Sequence, residues 1–309
     1  MIENLKHVCI YGMGLMGTSL AYSLKNHAKF KGKISGIVRS EKSQKWIKDY
    51  HLADEVYLST DSLVKPNVMD SDLLIIGLPV LDTIDLIHQL VDWKYDGLVT
   101  DMCSTRYVLE EQIRRLEKIY PLRFIGAHPM CGSEVSGPEG FVKDLYVNKL
   151  CIIIDRLKEE DLQDRNKNDL EKVIAFWKEI GMHIFLLDAQ MHDYIVSYLS
   201  HAPHILSSIL ATIIGRKDVI IKKNLESTVP ILGGGLKDMI RIAGSNPKMW
   251  YDIIETNKKN ILSALKDYQE ELNHIIDVLS NNNDIKAFWF DWQNQSKKYR
   301  DSIYGNPKE

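Results

Sequence analysis

Several short segments of this 309-residue chain carry residue types that do chemistry, at spacings that would let them act together. GAHPMCGSE, residues 126–134, puts His128 at the end of an apolar strand-like run and directly before a proline. Proline biases the residue before it toward extended backbone, so this imidazole hangs from a restrained main chain. A group titrating near neutrality suits general-base work. A single histidine in a glycine-rich segment can equally be structural, so its role depends on the rest of the chain. The turn DMCSTR, 101–106, ends an expected strand, where open α/β sheets bind ligands. Ser104 in that turn can hydrogen-bond a substrate hydroxyl, or it can simply cap the following helix.

Two more segments are polar inside apolar surroundings. SHAPH, 200–204, sets His201 and His204 three residues apart, on one face of an apolar helix. No carboxylate or third ligand stands at a metal-binding spacing, so the pair is expected to line a polar pocket or be satisfied by burial, with no metal. GGGLKDMIRIAGSNPKMW, 233–250, is a glycine hinge followed by a short helix carrying Asp238 and Arg241 at i and i+3. That spacing is common on surfaces, but Arg241 lies between Ile240 and Ile242 and so is a candidate anchor for a substrate carboxylate. Trp250 is a candidate pocket residue and equally a candidate core residue.

These groups need a framework, and the first half of the chain supplies one. Apolar strands are expected at His7–Tyr11, Lys33–Val38, Leu73–Leu78, Gly97–Met102, Phe124–Ala127, Leu150–Ile154 and His183–Leu187, most of them separated by helical segments. Such alternation predicts a mostly parallel sheet covered on both faces. Between the first strand and first helix lies GMGLMG, residues 12–17. In that context the pattern is a dinucleotide-binding turn: Gly12 for the tight bend, Gly14 for close approach of a pyrophosphate, and Gly17 for helix–strand packing. The helix start through Leu15 and Met16 offers free N–H groups to the phosphates.

The second strand should end in an acidic residue if NAD ribose hydroxyls are gripped there. It ends instead in Arg39 and Ser40, with Lys42 close by, which favours NADP. Glu41 can still reach back, so NAD stays open. After Asp188 the 3.6-residue period takes over, with helices expected at 191–214, 224–229, 236–243, 247–279 and 285–299. The expected organisation is a dinucleotide-binding domain at 1–188 and a helical substrate and dimerisation domain at 189–309.

Bulk properties narrow the classes. With 45% hydrophobic and 26% charged residues the chain is an ordinary globular one, and its net charge of −3, with no basic block, argues against a nucleic-acid surface. Four scattered cysteines without a CxxC pair suit reduced thiols in the cytoplasm. The longest apolar stretch, 205–214, is too short to span a bilayer, and no signal peptide is visible.

Taken in order, these motifs resemble one family, the prephenate/arogenate dehydrogenases of tyrosine biosynthesis. The glycine loop, Asp-x-x-Ser at 101–104, His-Pro-Met at 128–130, His-Asp at 192–193, SHxPH at 200–204 and the GGGxxDxxRIAxSxPxxW block carry the resemblance over nearly the whole chain. It implies a Rossmann-type doubly wound sheet joined to an all-helical dimerisation domain, and NAD(P)-dependent oxidative decarboxylation of a cyclohexadienol, prephenate or arogenate. Carried over by motif, His128 is the base, Ser104 assists at the ring hydroxyl, His204 lines the substrate pocket, and Arg241 binds the side-chain carboxylate. Cys103 and Arg106 depart from the small residue and lysine usual around the serine turn. The rival readings are a Rossmann-plus-helices dehydrogenase of hydroxy acids or imines, and a non-catalytic NAD(P)-sensing regulator. The former commonly uses a lysine in its helical domain, for which only Lys237 is on offer; the latter needs no His128, Ser104 and Arg241 together.

Overall fold

A computed structural model of the chain describes residues 1–132, 135, 137–156, 164–281 and 284–305 (of 164–166 the backbone alone). Ser133 and Glu134, which close the histidine segment, lie outside the described residues. The N-terminal half alternates as the periodicity predicts: β1 (His7–Tyr11), α1 (Leu15–Asn26), β2 (Lys33–Val38), α2 (Glu41–Asp49), β3 (Glu55–Leu58), α3 (Val64–Met69), β4 (Leu73–Ile76), α4 (Val80–Trp93), β5 (Leu98–Asp101), α5 (Tyr107–Glu117) and β6 (Arg123–Ile125). The six strands pair in parallel in the order β3-β2-β1-β4-β5-β6, the doubly wound arrangement of a Rossmann sheet. β4 (LLII) is buried throughout, and apolar clusters cover both faces of the sheet. Edge strand β3 and the short α3 carry too little periodicity to be seen in sequence; pairing with β2 makes the strand.

The run expected as one strand at Phe124–Ala127 is two. Gly126 ends β6, and β7 (Ala127–Pro129) turns away to pair antiparallel with β8 (Leu150–Ile154), which runs parallel to β9 (His183–Leu187). His128 therefore stands inside a strand, opposite Ile152, rather than at a strand's end. α6 (Asp164–Glu179) buries Phe176 and Trp177 in the core shared with this second, three-stranded sheet. The junction between the two strands has room only for glycine. A Cβ at Gly126 would collide with the Arg106 guanidinium and the Glu110 carboxylate, which pair in the space beside it.

Helices follow: α7 (Ala189–Val196), α8 (Ala202–Gly215), α9 (Asp218–Glu226), α10 (Gly234–Ile240), α11 (Pro247–Ser280) and α12 (Ile285–Tyr304). Among the described residues no strand comes after β9. α7 and α8 are separated by a π turn, Ser197–His201, where one continuous helix is expected. Pro203 lacks the N–H that the Leu199 carbonyl would need and crowds it, so the turn widens. α9 starts six residues earlier than expected and stops at Glu226, because Pro230 biases Val229 to extended backbone. Asn246 caps α11 by accepting from the N–H groups of Lys248 (2.9 Å) and Met249 (3.2 Å), with Pro247 in the first position. α11 kinks at Asn257 (φ −124°, ψ 22°).

The described chain falls into two compact units, Met1–Ile261 and Leu262–Glu309. Among the described residues no helix is long and apolar enough to cross a membrane. Gly126→Ala is expected to lower folding stability by about 1–3 kcal/mol, since its methyl group overpacks a buried ion pair. The urea midpoint checks this, and an unchanged midpoint would show that the guanidinium can move aside freely.

Candidate active site

The glycine loop leaves room for a dinucleotide. Gly12 has φ +103°, and a Cβ there would lie 2.5 Å from the carbonyl oxygen of Gly77 at the end of β4. A Cβ at Gly17 would collide with the Gly12 carbonyl, whereas one at Gly14 meets nothing within 4 Å. The loop is thus packed on its inner side and open at Gly14, as close approach of a pyrophosphate demands. Thr18 N–H makes the first helical bond, to Gly14 O at 2.9 Å, so the N–H groups of Leu15, Met16 and Gly17 lie ahead of it at the helix start. The residues fit the cofactor. Past the end of β2, Arg39 is exposed, and exposed Ser40 caps α2 by accepting from Ser43 N–H (3.2 Å). Lys42 pairs with Glu139 at 2.7 Å.

His128 is buried on β7, and its Nδ1 lies 2.9 Å from His192 Nε2 on α7. His192 Nδ1 lies in turn 2.8 Å from Asp193 Oδ1. The Asp193 carboxylate accepts the N–H groups of Arg106 (2.8 Å) and Tyr107 (2.9 Å), which open α5. Asp193 thus caps α5 from another helix, with a negative charge where the helix dipole favours one, and Ser104 does not. Ser104 is half-buried in the turn after β5.

Behind this chain, fully buried Arg106 donates to Asp101 Oδ2, to Glu110 Oε1 (2.9 Å) and to the carbonyl of Ala127 (3.2 Å). Asp101 also accepts the N–H of Ala127 (3.1 Å), tying the end of β5 to the start of β7. Burial, then His192, the Arg106 cation and His201 hold His128 well below the ordinary imidazole range. Burial, then Arg106, takes His192 down to about 3. Asp193 is pushed up to about 6 by burial, against the pull of its N–H donors and Arg106.

The SHAPH histidines meet a second cluster. His201, on the π turn, is buried; its Nδ1 accepts from Asn257 Nδ2 at 3.1 Å, and the same amide donates to the carbonyl of Asp193 at 2.8 Å. The kink at Asn257 thus joins α11 to both histidine segments. His204 donates from Nδ1 to the carbonyl of Ser200 (3.1 Å) and lies against Trp250, ring centroids 4.3 Å apart. His201 meets the same indole edge-on at 6.0 Å. Buried Trp250 Nε1 finds no hydrogen-bond partner among the described residues. His204 and Trp250 help line a cavity of about 550 Å³ with Ile242, Ser245 and Arg216. Arg241 opens the 3-10 turn after α10 and is exposed, close enough for its cation to lower the His204 pKa, though less than burial does. Asp238 is exposed on α10.

The model of the prephenate dehydrogenase nucleotide-binding domain matches residues 20–186, and that of the prephenate dehydrogenase dimerisation domain matches residues 188–289. The chain belongs to the prephenate dehydrogenase family. It is a nicotinamide-dependent dehydrogenase by membership. A prephenate dehydrogenase of Lactococcus lactis is 28% identical over 88% of this chain and 70% of its own. A cyclohexadienyl dehydrogenase of Zymomonas mobilis is 27% identical over 86% of each. A crystal structure of the A. aeolicus prephenate dehydrogenase, in complex with hydroxyphenyl propionate and NAD+, superposes with a TM-score of 0.79 at 29% identity, covering 96% of this chain and 98% of that one.

The motifs contain His192, Asp193, Arg106 and Asp101 but assign them no role, and Asn257 belongs to none of them. Their signals in the sequence are an Asp at a strand's carboxyl end, a His-Asp pair starting a helix and an Asn inside a long helix. Burial of these imidazoles predicts acid lability. Neutral His192 and His201 (the latter down to about 4, chiefly by burial) hold fewer protons folded than unfolded, so their contribution is full above the ordinary 6.5 and is lost as pH falls toward 4 and 3. Asp193, raised to about 6 from 3.8, offsets part of this between those values. The urea midpoint should therefore drop from about pH 7 to about pH 4.5, and less steeply in His201→Asn. An identical pH slope in that variant would mean that His201 binds its proton as readily in the fold as in the unfolded chain.

Proposed function

We propose that this chain oxidatively decarboxylates a cyclohexadienol, converting prephenate to 4-hydroxyphenylpyruvate or arogenate to tyrosine. The observation that carries the reading is a buried, neutral His128 beside a cluster of His201, His204 and Trp250 with a cation, Arg241, at its edge. A neutral imidazole in a dry site is ready to take a hydroxyl proton, and a nearby guanidinium is suited to a carboxylate.

The residues divide the work. His128 takes the proton of the ring hydroxyl, and Ser104, in the turn after β5, assists at the same oxygen. Gly12, Gly14, Leu15, Met16 and Gly17 would hold the pyrophosphate of a nicotinamide dinucleotide, which would supply the acceptor for the hydride of the ring carbinol. The dienone so formed is vinylogous to a β-keto acid, so the ring carboxylate leaves as carbon dioxide and the ring aromatises. Arg241 grips the side-chain carboxylate, with Asp238 on the preceding turn to orient it. His201, His204 and Trp250 line the pocket.

The cofactor is NADP or NAD, with NADP favoured. No acid stands at the tip of β2, and exposed Arg39 with the hydroxyl of Ser40 suits a 2′-phosphate. The domain division at 188 and 189 belongs to the same proposal: Gly12, Gly14, Leu15, Met16 and Gly17 hold the cofactor in the first part. The second part makes a homodimer. Exposed Ile209 and Ile213 on α8, with Ile220 and Leu225 on α9, are apolar surface that a second copy would cover. The four free cysteines accord with a reducing cytoplasm.

Incubation with prephenate or arogenate and each cofactor, watched at the absorbance of the reduced nicotinamide, tests the activity. No reduced cofactor with either substrate would refute it. His128→Asn is expected to cut kcat by about 10² to 10⁴, and near-normal turnover would remove His128 from the role of base. Arg241→Ala should chiefly raise KM for the cyclohexadienol, as loss of uniform binding does, and a fall in kcat alone would count against the anchor. Arg39→Ala should lower kcat/KM for NADP+ by about tenfold or more while sparing NAD+, and equal losses would remove the 2′-phosphate contact.

A further inference from the structure

The hydrogen bonds around His128 have only one consistent direction. Asp193 is ionised in larger part at neutral pH, and both of its oxygens already accept backbone N–H groups. A carboxylate only accepts, so the 2.8 Å contact between Oδ1 and His192 Nδ1 needs its proton on that nitrogen. A neutral imidazole carries one N–H, which leaves His192 Nε2 as a lone pair. That lone pair lies 2.9 Å from His128 Nδ1, so the proton between the rings belongs to His128 Nδ1. His128 Nε2 is then the unprotonated atom.

We infer that His192 and Asp193 are positioning residues for the reaction: through His192, the Asp193 carboxylate locks His128 in the tautomer whose Nε2 is the free base, and supports the imidazolium as it forms. The inference rests on the reading of His128 as base. The groups that face this chain are Arg106 from the residue before α5, Asp101 from β5, His201 from the π turn and Cys151 from β8. Arg106 opposes a positive charge on either imidazole, but Asp101 and Glu110 engage its guanidinium. The Asp193 carboxylate is the anion that acts on His128 by way of a hydrogen-bonded ring. A buried imidazole without that acceptor would choose its tautomer by other contacts, and its Nε2–H form would present an N–H to the substrate hydroxyl.

Asp193 also caps α5, so its removal mixes structure with chemistry; His192 separates them. His192→Phe keeps the ring volume and removes the acceptor. His192→Gln puts an amide near the lost Nε2, from which Oε1 can accept the His128 proton. Both are measured as full-length enzyme with prephenate and arogenate, beside His128→Asn, and with 15N-labelled histidine, whose ring shifts report which nitrogen is protonated.

The expected result is a wild-type His128 protonated at Nδ1. In His192→Phe, kcat falls between about tenfold and the full loss of a general base, 10² to 10⁴, with KM nearly unchanged and Nε2–H appearing on His128. In His192→Gln, kcat recovers to within severalfold of wild type and the tautomer returns. A His192→Phe enzyme with wild-type kcat, beside an inactive His128→Asn, would overturn this inference and leave the base standing. An active His128→Asn would overturn both. A wild-type His128 protonated at Nε2 would overturn the tautomer lock even if His192→Phe failed to fold.

Discussion

One buried carboxylate organises this molecule. Asp193, on α7, takes the first two free N–H groups of α5 and the ring N–H of His192, and its own carbonyl accepts Asn257 from α11. Taking a carboxylate out of water is costly, and its raised pKa records that cost. The cost is offset because every donor comes from a group that would otherwise be unsatisfied: a helix N-terminus has spare N–H groups by construction, and a buried imidazole has one. Within the first unit α5, α7 and the first part of α11 are thereby registered against one another at a single point. That point lies one imidazole away from His128.

Arg106 does the corresponding work on the sheet side. Its guanidinium, in the gap left by the missing Cβ of Gly126, joins Asp101 at the end of β5 to the carbonyl of Ala127 at the start of β7. The six-stranded sheet and the three-stranded sheet share no strand, and this ion pair with its bonds to Ala127 ties them together beside their common apolar core. Removing one partner from such a buried pair leaves an uncompensated charge, which is far costlier than losing a surface pair. This junction also keeps a cation close to two neutral histidines, so charge balance around His128 depends on Asp101 and Glu110 as much as on the histidines.

The legible part of the sequence was the part governed by local rules. Apolar runs such as HVCIY and LLII read as buried parallel strands, the glycine loop between strand and helix read as a dinucleotide turn, and Asn-Pro read as a helix start. Edge strand β3 was not legible, because EVYL is a strand only by pairing with β2. The split at Gly126 was hidden too, since nothing local says that a guanidinium from residue 106 needs the space. The π turn follows from a proline at 203, but a helix can meet such a proline with a kink, a break or a wider turn, and packing makes the choice.

The sequence by itself determined the alternation of strands and helices, the glycine loop, the acid-free end of β2 and the residue types available for chemistry, because backbone sterics, periodicity and composition act over a few neighbouring residues. Tertiary structure decided which of those residues meet. His128 and His192 are 64 positions apart, as are Asp193 and Asn257, and Arg106 and Asp193 are 87 apart. No local propensity encodes such contacts; they form because buried donors and acceptors must find partners once the sheets and helices exclude water. A histidine conspicuous only for the proline after it becomes, in the fold, the end of an ordered chain of hydrogen bonds.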